Sequence, residues 1–190
     1  AYAAVLGIWF LAGVLEADGL VEVMAWIGLP LGAATAGYTA FLFGQAEARD
    51  LWQSPMLVYH MIAGALAAGG GTALIAALFF EVGETAERGF AWTLVIGAAV
   101  LGLFALAELA TPHPTRNIEA AMHHMTRGHF ATEWWFGGQL IGVVLPVVLG
   151  TIMLAGGPTW IGAAGGLAAA AGIWFADNAF VKAGQSVPLS

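Results

Sequence analysis

Glu108 is a carboxylate set among Ala, Leu and Phe, inside an apolar run that ends at Pro112. An ionisable group at membrane depth is costly and is a functional candidate for that reason. Glu108 reads as a proton-relay carboxylate, or as one that snorkels to the nearby interface or pairs with His113 or Arg116. His60 follows Pro55 by about one turn and lies within a second apolar run. It is suited to passing a proton, to ligating haem or to hydrogen-bonding a neighbouring helix. Asp177, with Asn178, stands near the end of the last apolar run, either as a third proton station or as a structural partner of Lys182 or Arg49. Tyr38 carries a phenol that can donate to a quinone carbonyl or cap a contact between helices. His113, His123, His124 and His129 invite a metal, but their spacing matches no common zinc pattern. A bis-histidine haem needs two facing ligands, and only His60 is well inside an apolar run. No metal or haem is therefore expected. The absence of cysteine excludes a thiolate-held iron–sulfur cluster in this chain.

The elements that must hold these groups are membrane helices. Of the 190 residues, 60% are hydrophobic and 9% charged, against about 25% charged in a soluble domain. Lipid is thus the expected solvent. The five Lys and Arg are scattered in a chain of net charge −7, which leaves no basic patch for nucleic acid. A span needs about 20 apolar residues. The runs 23–43, 56–80, 90–111, 134–156 and 158–180 qualify, and 1–15 reads as the tail of a shortened helix. The fold class is an all-α polytopic bundle of about six spans. No charged n-region or cleavage site precedes the first run, so it is not a signal peptide, and a true N-terminus upstream of Ala1 is expected.

Between the spans the polar segments are informative. Gln45, Glu47, Arg49, Asp50, Trp52 and Gln53, ending in Ser54-Pro55, form a hinge that belongs at a water interface. The segment 112–133 begins with Pro112 and Pro114. It then repeats Ile118, Met122 and Met125 at helical spacing, as a helix lying in the interface plane or packed on the bundle would. Six spans place the hinge, this segment and the C-terminus on one side with Arg49, Arg116, Arg127 and Lys182, and leave Arg88 on the other. The positive-inside rule makes the hinge side cytoplasmic and the location the inner or plasma membrane. The 27 glycines include the pairs Gly28/Gly32, Gly138/Gly142 and Gly162/Gly166, a spacing that lets helices approach closely. A backbone opening at Gly69–Gly71 is the alternative use. Trp52, Trp134, Trp135 and Trp174 fall near expected helix ends, as an interfacial aromatic belt does.

Four stretches in order carry a family resemblance. Phe43-Gly44-Gln45-Ala46-Glu47-Ala48-Arg49-Asp50-Leu51-Trp52-Gln53-Ser54-Pro55 resembles the central signature of the NrfD-like membrane subunits of polysulfide reductase and related complexes. Leu109 to Thr115, Phe136 to Gly142 followed by Pro146, and Ala183 to Leu189 resemble a late helix end, the Gly-rich penultimate helix and the common ending of that family. Glu47 departs from the basic character of its position there. The resemblance implies two four-helix bundles side by side. Residues 1–44 would then be the last two helices of the first bundle, 45–55 the hinge, and 56–190 the second bundle with its interfacial segment at 112–133. It also implies a menaquinone or ubiquinone as cofactor, with Tyr38 facing it, and no haem or cluster in this chain. The implied partners are an iron–sulfur subunit and, through it, a molybdopterin or cytochrome subunit. Gln45, Arg49, Asp50 and Trp52 would form the hinge interface, and Glu108 and His113 would fit a proton route through the second bundle. Apart from the resemblance, His60 and Asp177 are the further ionisable groups available as stations on that route.

The function so read is electron exchange between the quinone pool and an iron–sulfur partner, with or without proton translocation. Two rival readings use the same residues. One is a proton or small-solute transporter without redox chemistry, which broken helices at matching positions would favour. The other is a membrane anchor whose ionisable groups are all structural.

Overall fold

A computed structural model of the chain describes residues 1–188, so Leu189, the last residue of the ending motif, lies outside the described residues. Seven helices follow one another: α1 (Tyr2–Val14), α2 (Asp18–Gly44), α3 (Leu57–Ala76), α4 (Glu84–Ala110), α5 (Arg116–Thr126), α6 (Glu133–Leu154) and α7 (Thr159–Ser186). Five of them, α2, α3, α4, α6 and α7, are long and apolar enough to cross a membrane, while α1 is shorter. Helices satisfy their backbone polar groups internally, which is what an apolar solvent demands.

Helices α2 and α4 begin earlier, and α7 ends later, than the apolar runs suggest. Asp18 opens α2, and Glu84 and Glu87 sit in the first turn of α4. Acidic side chains there face the positive end of the helix dipole, so they belong inside the helix rather than in the loop before it. At the other end of the chain α7 continues through Lys182 to Ser186. Asp177 and Asn178 are therefore well inside the helix.

Helices α3, α4, α6 and α7 form the bundle, and the α1–α2 pair joins it through α2 against α3. The bundle core is built from small residues, among them Ala63, Ala67, Ala91, Ala98, Ala163 and Ala169, with Leu74, Leu94 and Leu101 between them. Lipid tails are as apolar as these side chains, so close backbone packing has to hold the helices together. At the α3–α7 crossing, a Cβ on Gly71 would stand 2.5 Å from the Gly166 Cα, a contact only glycine permits. Gly142 of α6 and Gly172 of α7 meet in the same way, backbone on backbone. The run Gly69–Gly71 is continuous helix, with Gly70 and Gly71 buried in packing, so it is not a backbone opening.

The first half of α6, Glu133–Val144, is wound as a π-helix and turns to ordinary α geometry at Leu145. Pro146 follows at once and is fully buried. Proline lacks the N–H for the α ladder and crowds the carbonyl four residues back. The change of winding just before it accommodates both. π-Winding recurs at functional sites, and here it presents Trp134, Gly137, Gly138 and Gly142 to α7.

Candidate functional site

The hinge is a clamp. Arg49 donates to the carbonyl oxygens of Gly184 (2.8 Å) and Val187 (2.9 Å), and its guanidinium lies 5.9 Å from the centre of the Trp52 ring. Trp52 in turn meets Phe43 edge to face at 5.3 Å. The Thr115 hydroxyl donates to Asp50 Oδ2 at 2.7 Å while accepting from the backbone N–H of Ile118, so one side chain caps α5 and ties it to the hinge. Gln53 donates to the Ala46 carbonyl at 3.2 Å, and Gln45 is exposed. Hinge, α5 and the end of α7 thus share one end of the molecule.

Above this clamp α4 runs out. Thr111 leaves the helix in an extended conformation, and Pro112 and Pro114 prevent its return. Glu108 is in the last turn of α4 and lines two spaces at once. The first is a cleft of about 580 Å³ between the hinge, the end of α4 and α5. Met56, Phe104, Ala107, Ile118 and Met122 form its apolar walls, with Asp50, Gln53, Ser54, His113 and Thr115 among them. The second is an inner cavity of about 10 Å³ that Glu108 shares with His60 of α3, Asp177 of α7 and Trp134 of α6. Such a volume is about the room one water needs. Glu108 is thereby the side chain common to the open cleft and the inner polar cavity.

A latch closes the same end of α6 on α7. Glu133 takes the Asn178 amide at 2.7 Å on Oε2 and the Lys182 ammonium at 3.3 Å on Oε1. The Lys182 ammonium also lies 5.9 Å from the centre of the Phe130 ring. This is the one ion pair among the described residues. Glu108 is thus paired with neither His113 nor Arg116. Asp177 is paired with neither Lys182 nor Arg49: the first is taken by Glu133, the second by backbone carbonyls.

Of the expected site residues, Glu108, His60 and Asp177 come together, from three helices far apart in sequence. His113 lines the hinge cleft and also a second cleft of about 570 Å³ beside Glu119, His123 and Arg127. Tyr38 stands apart: it lies 59% exposed on α2 and lines neither the hinge cleft nor the inner cavity. Trp135 and Trp174 are exposed as a belt requires, but Trp134 is buried to 2% and is a wall of the inner cavity. The reason is the π-wound start of α6, which turns Trp134 inward against α7. Glu133 and Trp134 are the residues that sequence reasoning missed. The adjacent Glu133-Trp134 pair ahead of a Gly-rich run was the available signal.

Residues 3–188 match the family model described as polysulphide reductase, NrfD. The chain belongs to the NrfD family. No curated protein and no solved structure gave a match. In this NrfD chain the matched span takes in the hinge clamp, both spaces at Glu108 and the Glu133 latch. The hinge cleft fits a quinone ring by volume and chemistry. Ligand sites of 300–1,000 Å³ are mostly apolar with a few polar groups. Gln53, Ser54, His113 and Thr115 supply hydrogen-bonding groups, and Glu108 and Asp50 supply acceptors.

Proposed function

We propose that this NrfD-family chain is the quinone-interacting membrane subunit of an oxidoreductase complex, exchanging electrons with an iron–sulfur partner and moving protons through Glu108. The observation that carries this reading is the position of Glu108, on the hinge cleft and on the inner cavity with His60 and Asp177. A quinone, when bound, exchanges two electrons together with two protons.

The chain's own residues account for the protons. Glu108 receives or delivers a proton on the cleft side and passes it inward. His60 and Asp177 are the stations within reach of the inner cavity, and His113 lines the cleft as a proton donor or acceptor at its mouth. The apolar walls Met56, Phe104 and Met122 keep bulk water from the transfer. The electrons require an acceptor, and a chain without cysteine cannot ligate an iron–sulfur cluster. An iron–sulfur subunit, linked onward to a molybdopterin or cytochrome subunit, fills that need. Tyr38 lies exposed on α2 and lines neither space, so a role toward the quinone rests on the resemblance and would act on a ring approaching from the lipid side.

The test uses the native assembly, purified in mild detergent and reconstituted in vesicles. Its subunits and extractable quinone are identified by mass spectrometry, and quinol turnover and proton movement are followed together. Glu108→Gln is expected to assemble with its partners and to lower proton movement by roughly 100-fold, the scale of one lost acid–base group. Tyr38→Phe is expected to lower quinol turnover in an assembly of unchanged composition. A chain that purifies alone, without quinone, would overturn the reading in favour of a transporter or an anchor.

A further inference from the structure

Trp134, a wall of the inner cavity, carries an unpaired donor. Its side chain is buried, it lines the cavity with Glu108, His60 and Asp177, and its indole Nε1 has no protein acceptor. A buried N–H left unpaired is costly, and native structures satisfy such groups with protein or with ordered water. The space beside it holds about 10 Å³, room for one water, which needs two to four polar partners. Four are present on four different helices.

Resting on the proton route above, we propose that this cavity is the binding site of a single water. It is oriented by the Trp134 N–H and bridges Glu108 to Asp177, and Trp134 is the positioning residue of the transfer. An indole nitrogen only donates. It therefore occupies one lone pair of the water and leaves one lone pair and two O–H groups. The free lone pair faces a protonated Glu108, one O–H donates to Asp177, and the other to a ring nitrogen of His60. In the transfer the Glu108 O–H breaks and its proton joins the water oxygen. The water releases one of its own hydrogens to Asp177. Glu108 ends as a carboxylate, Asp177 as a carboxylic acid, and the water is unchanged. A cation is the poorer occupant, because the N–H turns its positive end toward the site. Glu108, His60 and Asp177 line the cavity, but among the described residues no three His, Asp or Glu groups stand in an arrangement that could hold a metal ion.

The test is infrared difference spectroscopy on the reconstituted native assembly, in ordinary and in oxygen-18 water, with the rate of proton movement measured on the same vesicles. The wild type is expected to show an O–H stretch that shifts with oxygen-18. Trp134→Phe keeps an aromatic ring and removes the donor. It should lose that band and slow proton movement about tenfold, the kinetic worth of one hydrogen bond. A wild type without the band, or a Trp134→Phe assembly with wild-type band and proton-transfer rate, would overturn the proposal. Should Trp134→Phe fail to assemble, Glu108→Gln decides. The wild-type band displaced in that variant supports the bound water, and a band left unmoved sinks it. Glu108→Gln also separates the two levels of the argument: wild-type proton movement in that variant removes the proton route itself, whatever Trp134→Phe does.

Discussion

Two cations hold the hinge end of the molecule, and they differ in what they hold. Arg49 reaches two carbonyl oxygens at the end of α7 with one guanidinium, in a part-buried setting. Both bonds leave one nitrogen, Nη1, whose two N–H groups are fixed in the guanidinium plane, a geometry that the rotating ammonium of a shorter lysine arm does not hold. Arg49→Lys is expected to destabilise the hinge clamp by about 1–3 kcal/mol, read as a lower melting temperature in detergent and faster proteolysis near Val187. Lys182 pairs with Glu133 while 43% of its side chain remains exposed. Lys182→Ala should cost no more than about 1 kcal/mol. The reverse ranking of the two variants would contradict the clamp. The candidate site residues were legible in part for a physical reason. Carboxylates and imidazoles stand out in an apolar run, so Glu108, His60 and Asp177 announced themselves. Their pairing did not, because whether Lys182 meets Asp177 or Glu133 depends on how α6 faces α7.

Helix contacts in this bundle are set by where backbone can approach backbone, and Gly69–Gly71 offers a direct comparison. Gly69 has nothing within 4 Å of where a Cβ would stand, whereas Gly71 packs on Gly166. Gly69→Ala should be neutral or stabilising by up to about 1 kcal/mol through helix propensity alone. Gly71→Ala forces α3 and α7 apart and should cost about 1–3 kcal/mol. Thermal denaturation of the two variants in one detergent gives the order, and equal midpoints would mean that the α3–α7 crossing does not depend on this contact. Small-residue spacing revealed that glycines pack helices, but not which helix each would meet. Gly162 and Gly166 share one face of α7, yet Gly166 meets the Gly71 backbone of α3 while Gly162 meets the Met153 side chain of α6 as well as Leu74 of α3. The π-winding of α6 was not legible at all. Hydrophobic periodicity marks an apolar span whether it is wound α or π when nearly every position is apolar. The error this produced is specific: Trp134, taken for part of the interfacial belt, belongs to the inner cavity.

At the scale of the whole molecule the polar groups divide between two ends. The hinge clamp, α5, the Glu133 latch and the mouth of the Glu108 cleft share one end, and the Arg88 contact with the Leu154 carbonyl marks the other. Gathering the hinge, the 112–133 segment and the end of α7 on one side is what six apolar runs imply, and the Arg49 and Thr115 bonds hold those segments together there. Charge sets an expectation for which side of the membrane this is: Arg49, Arg116, Arg127 and Lys182 lie at the hinge end against Arg88 opposite. The positive-inside rule then expects the Glu108 cleft to open to the cytoplasm. The absence of cysteine makes this measurable with single introduced thiols. Gln45 and Glu81 are both exposed, and only α3, 20 residues and about 30 Å long, separates them. One crossing puts them on opposite faces. A membrane-impermeant maleimide should label Gln45→Cys only in inverted vesicles and Glu81→Cys only in intact cells with a permeabilised outer layer. The exchanged pattern would turn the molecule over and make the Glu108 route draw protons from outside. Labelling of both thiols from one face would contradict α3 as a membrane span and, with it, the position of His60 at membrane depth.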